Sequence, residues 1–238
     1  MTISYNGTNY SGWQSQNNSI AVQKVVEDCI EKITSKKVSL FASGRTDSGV
    51  HAENQKAHFD MDKNIECCKF VKSLNSVLPD DIVIKEVKPV NSNFHARYNV
   101  KKKTYVYRIN NGYKDVFFDD FELFVPKKLD IKKMKQASKY LKGTHNFSAF
   151  CSSKTNVNDF VRTIYYVNFC VKDDKITIKI CGNGFLYNMV RIIVGTLIEI
   201  GQGKKQPKDM KVILESRDRN IAGKTAKAKG LTLFNVEY

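Results

Sequence analysis

Proline and glycine are scarce, at 4 and 13 of 238 residues, which excludes a collagenous, proline-rich or low-complexity chain. Long apolar runs are missing too. The most apolar stretch, Phe185 to Ile200, is interrupted by Arg191 and Glu199 and is short for a membrane span. Met1 to Trp13 lacks a cationic segment followed by an apolar one, so no signal peptide and no membrane partner are expected, and the expected location is cytoplasmic. The six cysteines (Cys29, Cys67, Cys68, Cys151, Cys170, Cys181) form no Cys-x-x-Cys, and the four histidines bring no ligand pair at zinc spacing. Reduced thiols that pack as small hydrophobes are expected, and no metal site. Acidic residues are the last shortage: 24 Asp and Glu against 39 Lys and Arg leave a net charge of +15.

What is present follows from that balance. A field of +15 with a pI near 9.5 attracts polyanions. Cations cluster at Lys101-Lys102-Lys103, Lys204-Lys205 and Lys224 to Lys229, and 11 Tyr and 14 Phe supply rings able to stack on bases. No strongly basic amphipathic helix stands out for a membrane surface. Hydrophobic residues make up 42% of the chain, enough for a core, and the length fits one large domain or two small ones.

Periodicity predicts a strand at Thr2 to Tyr5 and a helix capped by Ser19 with apolar positions Val22, Val25, Val26, Cys29, Ile30 and Ile33. Strands follow at Val38 to Ala42 and Gln55 to Met61, then a helix from Glu66 to Val77 and a strand at Ile82 to Val87. The second half reads as a strand at Lys103 to Ile109, a helix at Ile131 to Leu141 and a hairpin of Val161 to Val171 with Lys175 to Cys181. A largely apolar helix at Phe185 to Ile200, a short helix at Asp209 to Glu215 and a strand at Leu231 to Tyr238 complete it. The expected fold class is α+β: two β-α-β-β-α-β halves, residues 1–95 and 96–238, with a mixed, mainly antiparallel sheet.

The most informative stretch is Ser43-Gly44-Arg45-Thr46-Asp47-Ser48-Gly49-Val50-His51-Ala52. Two glycines bracket Arg45, Thr46 and Asp47 just after a strand, a setting that exposes a carboxylate at a strand end. An isolated Gly-Arg-Thr-Asp is more simply an Asx turn. This one is accompanied by Tyr5-Asn6-Gly7, Gly12-Trp13-Gln14-Ser15-Gln16, Phe94-His95-Ala96-Arg97, Tyr105-Val106-Tyr107-Arg108, Phe147-Ser148-Ala149-Phe150, Arg162-Thr163-Ile164 and Gly230-Leu231. In that order these motifs resemble the bacterial tRNA pseudouridine synthase A family along almost the whole chain. Asn6 stands where that family has Asp, and Ser15 where Arg is frequent.

The resemblance implies the pseudouridine synthase fold with a central basic cleft, a homodimer, no cofactor, and a tRNA anticodon stem-loop as partner, with uridine converted to pseudouridine at positions 38 to 40. It implies Asp47 as nucleophile, attacking either C6 of the base or C1′ of the sugar. It implies Tyr105 as the ring that stacks on the target base and removes the C5 proton. Arg45 is implied to enter the stem-loop as the uridine flips out. Arg97 and the run Lys101, Lys102 and Lys103 are candidate RNA-binding residues.

Arg191 also has a reading of its own. A guanidinium in an apolar helix must be paired or reach solvent, because burying it alone costs several kcal/mol, about the penalty for any unpaired ion. The resemblance pairs it with the catalytic carboxylate. His51 and His95 are expected to make loop or core hydrogen bonds. The alternative function is a non-catalytic RNA-binding protein of two RNA-recognition-motif units, but Lys142-Gly143-Thr144-His145 departs from that module's signature after two residues. Gly182-Asn183-Gly184 and Gly201-Gln202-Gly203-Lys204-Lys205 fit no nucleotide-binding fingerprint.

Overall fold

The apolar periodicity of the first hundred residues builds a sheet covered by two helices. In the computed structural model, which describes all residues except 17–18, 63–64 and 154–156, the elements are β1 (Thr2–Tyr5), α1 (Val22–Thr34), β2 (Phe41–Ala42), β3 (His51–His58), α2 (Cys67–Asn75) and β4 (Ile82–Glu86). The β-α-β-β-α-β order read from the sequence holds here. β1 lies between β3 and β4, antiparallel to both, with Ile3 opposite Gln55 and Ile84. β2 pairs with β3 through Phe41↔His58 and Ala42↔Ala57. The inward positions Ile3, Tyr5, Ile82 and Ile84, Val22, Val26 and Ile30 of α1, and Leu74 of α2 are all buried.

Chain contacts divide the molecule into Met1–Lys101 with Thr232–Tyr238, and Lys102–Leu231. This division falls six residues after the 95/96 boundary read from the sequence and returns the closing strand to the first unit. That strand, β10 (Leu231–Glu237), runs parallel to β3 with Thr232↔His51 and Leu233↔Ala52.

The second unit contains β5 (Lys102–Asn110), β6 (Leu123–Phe124), α3 (Ile131–Ser138), β7 (Gly143–Asn146), β8 (Val161–Lys172), β9 (Lys175–Gly182), α4 (Met189–Gly201) and α5 (Asp209–Ser216). β5, β9, β8 and β7 form an antiparallel run, and β6 adds to β5 in parallel. Alternation along β9 buries Ile176, Ile178 and Ile180, and the apolar face of α4 buries Ile192, Ile193, Leu197 and Ile200.

The expected second β-α-β-β-α-β order is present as β5, α3, β8, β9, α4 and β10, with α5 where the sequence placed a short helix; β6 and β7 are additions, and the last strand belongs to the first unit. β7 has the sequence Gly-Thr-His-Asn, with no apolar alternation, so nothing local announced it as a strand. Both units are α+β with mixed, mainly antiparallel pairing. Among the described residues no helix is long and apolar enough to cross a membrane.

Two element ends differ for physical reasons. Ser19 does not cap α1. Ala21 holds the N-cap position without a side-chain bond, because the carbonyls of Gly12 and Trp13 accept from Val22 N–H and Gln23 N–H at 3.2 and 3.0 Å. The apolar helix starts at Met189 rather than Phe185, since Asn188 adopts φ 60° and ψ 6°, outside the helical well.

Candidate active site

The motif around Asp47 folds as a loop fastened by hydrogen bonds along most of its length. Ser43 is fully buried; its N–H donates to Lys56 O at 2.7 Å, and its hydroxyl donates to Gln55 Oε1, also at 2.7 Å. The Gln55 amide returns a bond to Gly44 O at 2.9 Å, so β3 clamps the start of the loop. Arg45 then points to solvent and Thr46 turns inward. The Thr46 hydroxyl lies 2.8 Å from the Tyr5 hydroxyl in a buried contact, and Thr46 O accepts from Trp13 N–H at 3.1 Å. Asp47, half-buried, follows, and its carbonyl accepts from Val50 N–H at 3.1 Å to close a turn. Gly49 holds φ 74° in that turn, where a side chain would be strained.

The two opening motifs back this loop. Gly12 has φ +99°, and a Cβ there would stand 2.4 Å from Thr46 O and 3.0 Å from the Asp47 carbonyl carbon. Gly49 N–H and the Ser48 hydroxyl both donate to Tyr10 O, at 3.2 and 3.3 Å. A Cβ on Gly7 would meet Val50 O at 2.1 Å, and Gly7 N–H donates to His51 Nδ1 at 3.0 Å. With Nδ1 as acceptor, the ring proton is on Nε2. Burial pushes the Tyr5 phenol well above its ordinary value, so it stays a neutral hydroxyl beside Thr46. Asp47 therefore sits on a backbone that several buried contacts fix.

The remaining predicted residues of the first unit lie at its end. Arg97 is exposed with its guanidinium 6.0 Å from the ring centroid of Tyr98, and Tyr98 in turn stacks 4.3 Å from His95. His95 Nδ1 accepts from Arg97 N–H at 3.1 Å, the kind of local bond expected for it. Lys101 is exposed and its N–H donates to Glu237 O at 2.8 Å.

In the second unit Lys102 begins β5, its ammonium 5.7 Å from the Tyr165 ring centroid, and Lys103 follows in register with Gly182. Tyr105 is half-buried on the same strand, its ring edge-on to Phe185 at 5.2 Å and 90°. Arg191, half-buried on the first turns of α4, donates from Nε to Ala226 O at 2.8 Å and from Nη1 to Asn188 Oδ1 at 2.7 Å. Its charge also reaches the buried Tyr107 phenol, where burial raises the pKa and Arg191 opposes the rise. The structure thus brings Arg45 and Asp47 into one loop, and sets Tyr105 and Arg191 on β5 and α4 of the other unit.

The supporting residues Tyr5, Gly12, Gln55 and Asn188 were not singled out as functional by sequence reasoning. Tyr5 and Gly12 lay inside motifs already quoted, and a glycine before a buried tryptophan was the available signal. All six cysteines are free thiols; Cys29, Cys151 and Cys181 are buried as expected, whereas Cys68 and Cys170 are exposed. Among the described residues no group of three or more His, Cys, Asp or Glu is placed to hold a metal ion.

Comparison with known proteins assigns this geometry to a family. The family described as tRNA pseudouridine synthase matches residues 1–99 and 137–238. The tRNA pseudouridine synthase A of Brevibacillus brevis is 48% identical over 237 residues, covering 99% of this chain and 97% of that protein. Its counterpart in Anoxybacillus flavithermus is 45% identical over 238 residues, covering 100% and 97%. That of Caldicellulosiruptor saccharolyticus is 46% identical over 239 residues, covering 100% and 98%. Among solved structures, one described as a Cbf5-Nop10-Gar1 complex superposes with a TM-score of 0.39 at 10% identity, over 98% of this chain and 57% of that one. On the family match and these full-length identities, the chain belongs to the tRNA pseudouridine synthase A family.

Proposed function

We propose that the family's reaction, isomerisation of uridine to pseudouridine in tRNA, is carried out by this chain at positions 38 to 40 of the anticodon stem-loop, with Asp47 as the nucleophile. The observation that carries the reading is the Asp47 loop: a half-buried carboxylate on a backbone held by Tyr5, Gly12, Gln55 and Tyr10, within a chain 48% identical to a named synthase. A group that must meet one carbon of a substrate gains from such fixation, since misplacement by about 1 Å can cost 100-fold in rate.

The reaction breaks N1–C1′, makes C5–C1′, and moves one proton from C5 to N1. Nothing is oxidised or reduced, and no external group is consumed, so side chains suffice for its balance. The carboxylate attacks C6 of the base or C1′ of the sugar and is released unchanged. Tyr105 stacks on the target base and takes the C5 proton. Arg191 supplies the counter-charge for the carboxylate. Arg45 fills the space in the stem-loop left by the flipped uridine. Arg97, Lys101, Lys102 and Lys103 bind phosphates of the RNA. The working enzyme is a cytoplasmic homodimer, which sedimentation at micromolar concentration tests directly.

Pseudouridine mapping of tRNA from cells with and without the protein tests the assignment. Loss of pseudouridine at 38 to 40, restored by re-expression, is the expected result. An unchanged map would overturn it.

A further inference from the structure

Asn188 occupies the N-cap position of α4, where asparagine ordinarily accepts a bond from a backbone amide of the first turn. It makes no such bond. Both ends of its carboxamide are turned elsewhere: Oδ1 accepts from Arg191 Nη1 at 2.7 Å, and Nδ2 donates to Ser152 Oγ at 2.9 Å. The backbone is left-handed, with φ 60° and ψ 6°, a conformation that asparagine adopts more readily than other non-glycine residues and that differs from the extended backbone of a capping residue. Released from capping by that backbone, the side chain meets another requirement.

The surroundings identify that requirement. Arg191 Nε is bound to Ala226 O, and Ala226 N–H donates back to Arg191 O at 3.1 Å. The segment carrying Ala226 is packed hard on α4: a Cβ on Gly195 would stand 1.7 Å from Lys224 O, and Gly223 N–H donates to the Thr196 hydroxyl at 2.9 Å. One side of the guanidinium is therefore fixed by main chain. Asn188 fixes a second donor, and Ser152, whose own N–H donates to Tyr187 O at 3.2 Å, fixes Asn188. A planar group held at two donors cannot rotate about its last bonds.

We infer that Asn188 is a positioning residue for the isomerisation: through the Ser152–Asn188–Arg191 relay it fixes the plane of the Arg191 guanidinium. The inference rests on the proposed role of Arg191 and deepens it.

The test separates the carboxamide from the backbone. Asn188→Gly accepts φ 60° without strain and is tolerated at an N-cap, so a merely structural Asn188 predicts wild-type kcat, with stability lowered only by the two lost hydrogen bonds. The positioning role predicts a kcat lowered by at least about tenfold, with tRNA affinity and unfolding midpoint within about twofold and a few degrees, since remote misplacement acts on the rate. Ser152→Ala should lower kcat less, and the double variant should fall no further than Asn188→Gly alone, because the two act in one chain. Arg191→Lys decides between the failures. If Arg191→Lys abolishes turnover while Asn188→Gly turns over normally, the relay is wrong and the role of Arg191 stands. If Arg191→Lys turns over normally, both are wrong.

Discussion

The hydroxyls of Tyr5 and Thr46 lie 2.8 Å apart in a buried contact, joining the first strand of the chain to the middle of the loop that carries Asp47. The Tyr5 hydroxyl also has Gln55 as a partner, so losing the Thr46 hydroxyl costs about 0.5 to 1.5 kcal/mol, the net worth of one hydrogen bond. Thr46→Val, which keeps the shape, should lower unfolding free energy by that amount and lower kcat more than tRNA affinity. Denaturant unfolding and single-turnover kinetics check both. A Thr46→Val enzyme with wild-type stability and rate would show that the contact does not hold the loop.

Gly12 gives a sharper version of the same argument. Its φ of +99°, and the 2.4 Å that would separate an added methyl carbon from Thr46 O, leave no low-energy place for alanine. Gly12→Ala should destabilise the protein by about 2 kcal/mol or more through strain and displacement. It should also reduce turnover, because the displaced atoms are the backbone of Thr46 and Asp47. Thermal unfolding and tritium release are the measurements, and no change in either would contradict the account.

The cations separate by role in their salt dependence. tRNA affinity should fall steeply with salt, with a log–log slope of about 0.9 for each duplex phosphate neutralised. Replacing Lys101, Lys102 and Lys103 together by alanine should flatten that slope. Arg45→Ala should leave the slope nearly unchanged and lower kcat, since the role proposed for its guanidinium is to replace a base rather than to pair with phosphate. A slope reduced by about 1 in Arg45→Ala would reassign it to the backbone.

His58 introduces a pH dependence of stability. Its ring stacks on Phe41 at 5.2 Å and lies 4.8 Å from His95, and its Nδ1 accepts from Ala96 N–H at 3.2 Å. Burial first, and His95 next, hold its pKa below the ordinary 6.5. The unfolded chain then binds a proton more readily than the folded one. Stability from the neutral ring is complete above pH 6.5 and is lost as pH falls below that value towards the folded pKa. Unfolding midpoints at stepped pH should decline in that window for the wild type and less for His58→Phe. Equal declines would place the effect elsewhere.

The first unit was largely legible because its elements follow local rules. Val22, Val26 and Ile30 repeat at helical spacing, and Ile82 and Ile84 alternate as strand residues do. The second unit was less so. The boundary at Asn188 was hidden inside an apolar run, because what breaks the helix is one left-handed residue whose side chain bonds Arg191 three positions on and Ser152 36 positions back. The return of β10 to the first unit depends on its register with His51 and Ala52, which no local pattern states. For the site, the motif made Asp47 conspicuous, yet the residues that fix it are Tyr5, Tyr10, Gly12 and Gln55. Their roles are contacts across 41, 38 and 11 positions for Tyr5, Tyr10 and Gln55, and such distances leave no periodic trace in a single sequence.

Asp47→Asn tests the central claim most directly. The substitution keeps size and turn-forming ability while removing the negative charge and the nucleophile. Tritium release from C5-labelled uridine in a tRNA transcript, measured beside filter binding, should show no turnover with RNA affinity and folding retained. Wild-type release by the Asp47→Asn protein would contradict the assignment of Asp47 and the mechanism built on it.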